Sequence, residues 1–149
     1  MELAQFITES QKSDKTVMGW IKNGLVNGAA YVNGTYTISD LSRPPYMHAS
    51  SRSAASIRKG IVVGCKRSLS VNCKVFKISE DEFNVYVDQL IAADLIEKRV
   101  IEGVAYYFST MRADSMSEKQ IYKLMKDFAS TVTEAATGAI TEQIMKRNL

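Results

Sequence analysis

Few residues in this chain have the type and spacing that catalysis or metal binding requires. The one histidine, His48, follows Pro44-Pro45-Tyr46 in a stretch that reads as a linker. Nothing nearby would orient it against a nucleophile, so it is expected to be a solvated loop histidine. Cys65 and Cys73 stand eight apart, which fits neither a zinc pair nor a thioredoxin-type C-x-x-C. No Walker-type loop, glycine-rich dinucleotide fingerprint or His-Glu metal motif occurs. The expectation is a protein that is not an enzyme and that carries no cofactor and no metal.

The other residues with chemistry to offer are cations, and their placement says more than the net charge of +3. From Leu41 to Ser79 the chain carries Arg43, Arg52, Arg58, Lys59, Lys66, Arg67, Lys74 and Lys77 with no Asp or Glu between them. Residues 80–149 hold twelve acidic and eight basic positions. A polyanion-facing surface with a separate acidic end produces such asymmetry; an ordinary solvated basic face is the plainer alternative. On the first reading, Arg52, Arg58, Lys59, Lys66 and Arg67 are candidate contacts to a phosphate backbone.

These cations must be positioned by folded elements, and the composition supports folding. Hydrophobic residues make up 46% and charged residues 23%, with only 2 prolines, so disorder is not expected. Apolar runs such as Ile61-Val62-Val63 are too short to span a bilayer, and Met1–Gln5 has no secretory pattern. A reduced, cytoplasmic location is the default expectation. In a first module, residues 1–46, Leu3, Ala4, Phe6 and Ile7 predict a short amphipathic helix over Glu2–Gln11. Ser13 is a suitable N-cap for a second helix, with Val17, Trp20 and Ile21 on its apolar face and Gly24 just beyond its end. Lys15, Met18, Gly19 and Lys22 fall opposite. Two β-prone runs, Ala29–Val32 and Thr35–Ile38, then flank Asn33-Gly34, a preferred two-residue hairpin turn.

The stretch Ser13–Ala29 resembles the excisionase-type and MerR-type winged helix family, in which a T-V-x-x-W-I-x-x-G helix precedes a turn, a G-A pair and a hairpin. Thr16, Val17, Trp20, Ile21 and Gly24 match the helix pattern. Gly28-Ala29, Asn33-Gly34, Ile38 and Pro44-Pro45 match the remainder. The resemblance covers roughly the first 46 residues, and the first helix departs from the family by lacking its E-A-A segment. It implies double-stranded DNA binding, with the second helix in the major groove and the hairpin beside it as a wing. Candidate DNA-binding residues are then Lys15, Thr16, Met18, Gly19, Lys22, Tyr31, Asn33, Gly34 and Thr35.

Residues 50–112 are expected to form a second, winged-helix-like module. A helix over Ser53–Leu69 carries Ile57, Ile61, Cys65 and Leu69 on one stripe, despite Gly60 and Gly64. Lys74–Ile78 alternates like a short strand, Ser79 and Glu82 form a capping box for a helix over Glu80–Ala93, and a second hairpin turns at Glu102-Gly103. That run resembles the last helix and wing of bacterial winged-helix regulators but shows no separate scaffold helix before Glu80. Residues 113–149 read as a long C-terminal helix with Ile121, Leu124, Met125, Phe128 and Val132 on an apolar stripe. It either packs on the second module or pairs with a second copy, making a homodimer separable after Arg112. The expected architecture is α+β, mainly helical, with tandem winged helix-turn-helix modules. The expected function is sequence-specific duplex DNA binding by a compact transcription regulator of the kind encoded by phages and mobile elements. Excisionase-like DNA bending and a protein-interaction adaptor are the alternatives.

Overall fold

The computed structural model describes residues 1–47 and 53–127. Within them the chain is α+β. It runs α1 (Leu3–Ser10), α2 (Asp14–Lys22), β1 (Ala29–Val32), β2 (Thr35–Ile38), α3 (Ala54–Lys66), α4 (Cys73–Phe76), α5 (Glu80–Ala92), β3 (Ile96–Ile101), β4 (Val104–Ser109) and α6 (Met111–Asp114). Residues 118–127 are also helical. The strands make two antiparallel pairs, β1 with β2 and β3 with β4. No helix among the described residues is long and apolar enough to cross a membrane.

Short polar side chains fix where the helices begin. Ser13, Ser53 and Ser79 each accept a hydrogen bond from the backbone N–H three residues on, at the starts of α2, α3 and α5; each such cap contributes about 1 kcal/mol. The same three helices end alike. Gly24, Ser68 and Asp94 take positive φ, and the next residue returns its N–H to the carbonyl of Trp20, Gly64 or Leu90. This left-handed Ser68 stops α3 at Lys66, short of the expected Leu69.

Lys74–Ile78 is not a strand. Asn72 accepts the Val75 N–H at 3.0 Å and opens α4, a single turn that buries Val75 and Phe76 side by side. Adjacent buried residues do not fit a two-residue alternation, and Lys77 at positive φ ends the turn. A short helix therefore does precede α5, in the place where none was expected.

Phe6, Val17, Ile21, Val26 and Ile38 bury one core among α1, α2 and the first hairpin. A larger core joins α3, α4, α5, Leu95 and Ile96. Gly60 and Gly64, which weaken α3 as a helix, are explained by that core: an added Cβ would strike Phe76 and Tyr46 at the first, Val71 and Tyr46 at the second.

A polar seam joins the two cores. Asn27 donates its backbone N–H to Ser70 Oγ at 3.3 Å and its side-chain amide to the Val71 carbonyl at 2.9 Å. Asn72 Nδ2 donates to Asn27 Oδ1 at 2.8 Å, and Ser42 Oγ donates to the Asn27 carbonyl at 2.9 Å. The expected linker is part of this seam. Pro45 forms a parallel bridge with Ser70, whose N–H bonds the Pro44 carbonyl and whose own carbonyl accepts from Tyr46. Gly28 sits at φ +80°, and a Cβ there would land against the Tyr106 hydroxyl, Ser39 and Ser42. The Tyr106 side chain of β4 thereby reaches the base of the first hairpin.

The segment after Arg112 adds to the larger core. Ala113, Ile121 and Met125 are all fully buried in it, and Leu124 packs against it. The apolar stripe through residue 127 thus packs on its own chain; Phe128, Val132 and the rest of the expected C-terminal helix lie outside the described residues. Ile121→Ala and Met125→Ala should each lower stability by about 2–5 kcal/mol. Cutting the chain after Arg112 should abolish a cooperative urea transition, rather than release a separable soluble unit. Unchanged midpoints would contradict this packing.

Candidate nucleic-acid interface

The outer face of α2 is set by what its inner face buries. Val17 and Ile21 are sealed in the smaller core and Trp20 packs half-buried against it. At 3.6 residues per turn this turns Lys15, Thr16, Gly19, Lys22 and Asn23 outward. The two lysines, Thr16 and Asn23 are exposed; Met18 and Gly19 are partly covered. Asp14 is exposed in the first turn, where the helix dipole favours an acid.

The first hairpin continues this face. Asn33 (φ 53°) and Gly34 (φ 78°) make the tight turn expected of the pair, with Tyr31 opposite Tyr36 and Val32 opposite Thr35. Tyr31, Asn33, Gly34 and Thr35 are exposed, and Tyr36 is half-buried against the core. Lys22 Nζ lies 5.0 Å from the Tyr31 ring centroid, and the Tyr31 and Tyr36 rings lie 4.6 Å apart. A cation–π contact therefore links the end of α2 to the first strand, over the core of Val17, Ile21 and Ile38 that holds helix and hairpin together. The structure brings all nine candidates of the first module onto α2 and the adjacent hairpin. Sequence reasoning missed the Lys22–Tyr31 contact, although a Lys at a helix end and an aromatic on the next strand are its ingredients.

The cations of α3 have a different fate. Arg58 is buried at 5% exposure, its Nε donating to Gln89 Oε1 at 2.9 Å and its guanidinium 4.8 Å from the Tyr86 ring centroid. Burial lowers its pKa from the usual arginine value, and Tyr86 acts in the opposite direction. The same neighbourhood raises the Tyr86 phenol to about 12, first by burial and then through its hydrogen bond to Glu82. Lys59 Nζ stands 5.5 Å from the Tyr122 ring, Lys66 donates to the Met116 carbonyl, and Arg67 pairs with Glu118. Of the four expected to face a polyanion, Arg58 is buried against α5, Lys59 and Lys66 are partly covered beside the segment 116–122, and Arg67 stays exposed while paired with Glu118. The sequence signal misled because helical spacing cannot tell a solvated face from one that a later segment covers. Arg52 lies outside the described residues, as does His48.

The face of α5 is acidic. Glu80, Asp81 and Glu82 are exposed in its first turn, and Asp88 is partly covered. The second hairpin ends in exposed Val100 and Ile101, 62% and 42% accessible. Beside the seam lies a cavity of about 120 Å³ lined by Asn27, Arg43, Cys65, Tyr106 and Phe108 among others, well below the roughly 300–1,000 Å³ of ordinary small-molecule sites. Burial pushes the Cys65 thiol up to about 12, which disfavours its thiolate form.

No protein-family model matches the chain, and no curated protein or solved structure matches it significantly.

The placement of Arg58 makes charge reversal there a folding defect. Arg58→Glu would remove the Gln89 bond and bury a carboxylate among apolar side chains, lowering stability by about 3 kcal/mol or more. A thermal midpoint equal to that of the unaltered chain would show that Arg58 is solvated instead.

Proposed function

We propose that this chain binds double-stranded DNA, with α2 entering the major groove and the Asn33-Gly34 hairpin resting beside it. The observation that carries the reading is the continuous face of α2 and first hairpin, basic at Lys15 and Lys22 and joined through Tyr31. Two short helices, the second presenting exposed lysines, followed at once by a tight polar hairpin, suit the helix-turn-helix docking geometry with a wing. The resemblance of Ser13–Ala29 to the excisionase-type and MerR-type family supports the same assignment. On this reading the protein is a sequence-specific regulator acting by occupying its site, as compact phage and mobile-element regulators do.

The order α3, the Ser70 bridge, α4, α5 and the second hairpin supports reading the second half as a winged-helix-like module as well. Its α5 carries Glu80, Asp81 and Glu82 where a groove-reading helix would meet phosphates, and like charges disfavour that approach. Those acids, with the apolar tip at Val100 and Ile101, favour a role in protein contact for this half of the chain. Duplex binding is then assigned to the first half alone.

Fluorescence anisotropy with a labelled duplex tests the assignment. Lys15→Ala and Lys22→Ala should each weaken binding with folding intact, and each lost phosphate contact should shallow the salt dependence by about one unit of slope. Undiminished affinity in the double variant would sink the assignment.

A further inference from the structure

Seven glycines fall among the described residues, and six have a structural reason. Gly24, Gly28, Gly34 and Gly103 adopt positive φ, while Gly60 and Gly64 sit where a Cβ would collide with Phe76, Val71 or Tyr46. Gly19 has neither. It lies inside α2, outside the left-handed region, and an added Cβ would meet nothing within 4 Å. Alanine would be the better helix former there, both in backbone entropy and in the shielding of the helix hydrogen bonds. Folding therefore gives no account of this glycine.

Its surroundings do. Along α2, Lys15 stands one turn before Gly19 and Lys22 one turn after, both slightly to one side; Thr16 and Asn23 lie correspondingly on the other. All four are exposed. Gly19 is the floor of a shallow notch on the outermost ridge of the helix, ringed by two cations and two short hydrogen-bonding side chains. The lysines are about 10 Å apart along the axis, comparable with a major groove about 12 Å wide. A surface of this form suits a ligand with anionic shoulders and a flat edge between them.

Resting on the duplex-binding reading above, we infer that Gly19 is the point of closest approach between α2 and DNA, admitting a base-pair edge into contact with bare helix backbone. Lys15 and Lys22 take phosphates, Thr16 and Asn23 are within reach of base edges, and the missing side chain sets how deeply the helix seats. Gly19 is thus a positioning residue for sequence readout, acting by the absence of bulk and not by a bond of its own.

The test uses the full chain, a duplex selected by it from random sequences, and a scrambled duplex of equal length. Gly19→Ala should raise the thermal midpoint and yet weaken binding to the selected duplex at least tenfold. Its salt slope should stay unchanged, because every cation remains. Gly19→Leu should reduce the selected duplex to the affinity of the scrambled one. Gly19→Ala binding the selected duplex within twofold of the unaltered chain would overturn the inference, as would a lowered midpoint, which would reveal a packing need for glycine. Failure of the duplex-binding reading looks different: the unaltered chain would bind no duplex, or Lys15→Ala/Lys22→Ala would bind as well as it does, and the inference would fall with it.

Discussion

The hydrogen-bonded seam around Asn27 is the constraint on which the rest of this structure depends. The two cores meet there through the side chains of Asn27, Ser42, Ser70 and Asn72. Polar groups removed from water are costly unless partnered, so such a seam holds one geometry and penalises others. Gly28 tightens it, since only a residue without a Cβ lets the Tyr106 hydroxyl come so close. The same residues serve their own elements too: Asn72 caps α4 with its carbonyl oxygen while its amide reaches the Gly24 carbonyl and Asn27. The first helix pair and hairpin are therefore carried on a fixed base.

Part of the positive charge on and just after α3 is engaged within the fold. Lys59, Lys66 and Arg67 line the side of α3 that residues 116–122 approach, and Ile121 and Met125 close the core beneath. The exposed Arg67–Glu118 pair adds little stability in itself, about 0–1 kcal/mol, but it marks which surface that segment occupies. Of these α3 contacts only that of Arg67 is to an acid; Arg58 meets Gln89, Lys59 the Tyr122 ring and Lys66 the Met116 carbonyl. Of the run of cations from Leu41 to Ser79, Arg58 is withdrawn from solvent and Lys59 and Lys66 are partly covered, whereas Arg43, Arg67, Lys74 and Lys77 remain exposed.

Much of the local structure was legible because local chemistry decides it. Ser13 and Ser79 are caps in the sequence and in the fold, and Asn33-Gly34 turns the first hairpin as its preference for positive φ requires. The failures are of two kinds. Asn72 opens a helix of only four residues, too short to show a helical period, so Lys74–Ile78 read as a strand; the others are tertiary. Pro44-Pro45 is composed like a linker, but its backbone pairs with Ser70. Arg58 has the spacing of a solvated residue and becomes buried only because Gln89 and Tyr86 arrive from α5. Tertiary partners do not announce themselves in a window of ten residues. On the candidate surface, the residues of α2 and the first hairpin were legible because their neighbours are local; those of α3 were not.

The proposed division of labour follows: a basic helix-and-hairpin face for duplex DNA in the first half, and an acidic, apolar-tipped half that supports it and meets protein. Amide chemical-shift mapping of the full chain during titration with a short duplex tests this most directly. The account predicts that the largest changes fall on Lys15–Asn23 and Tyr31–Thr35, with α3 and α5 unmoved. Changes concentrated on α5 and the Val100–Ile101 tip, with α2 silent, would contradict it.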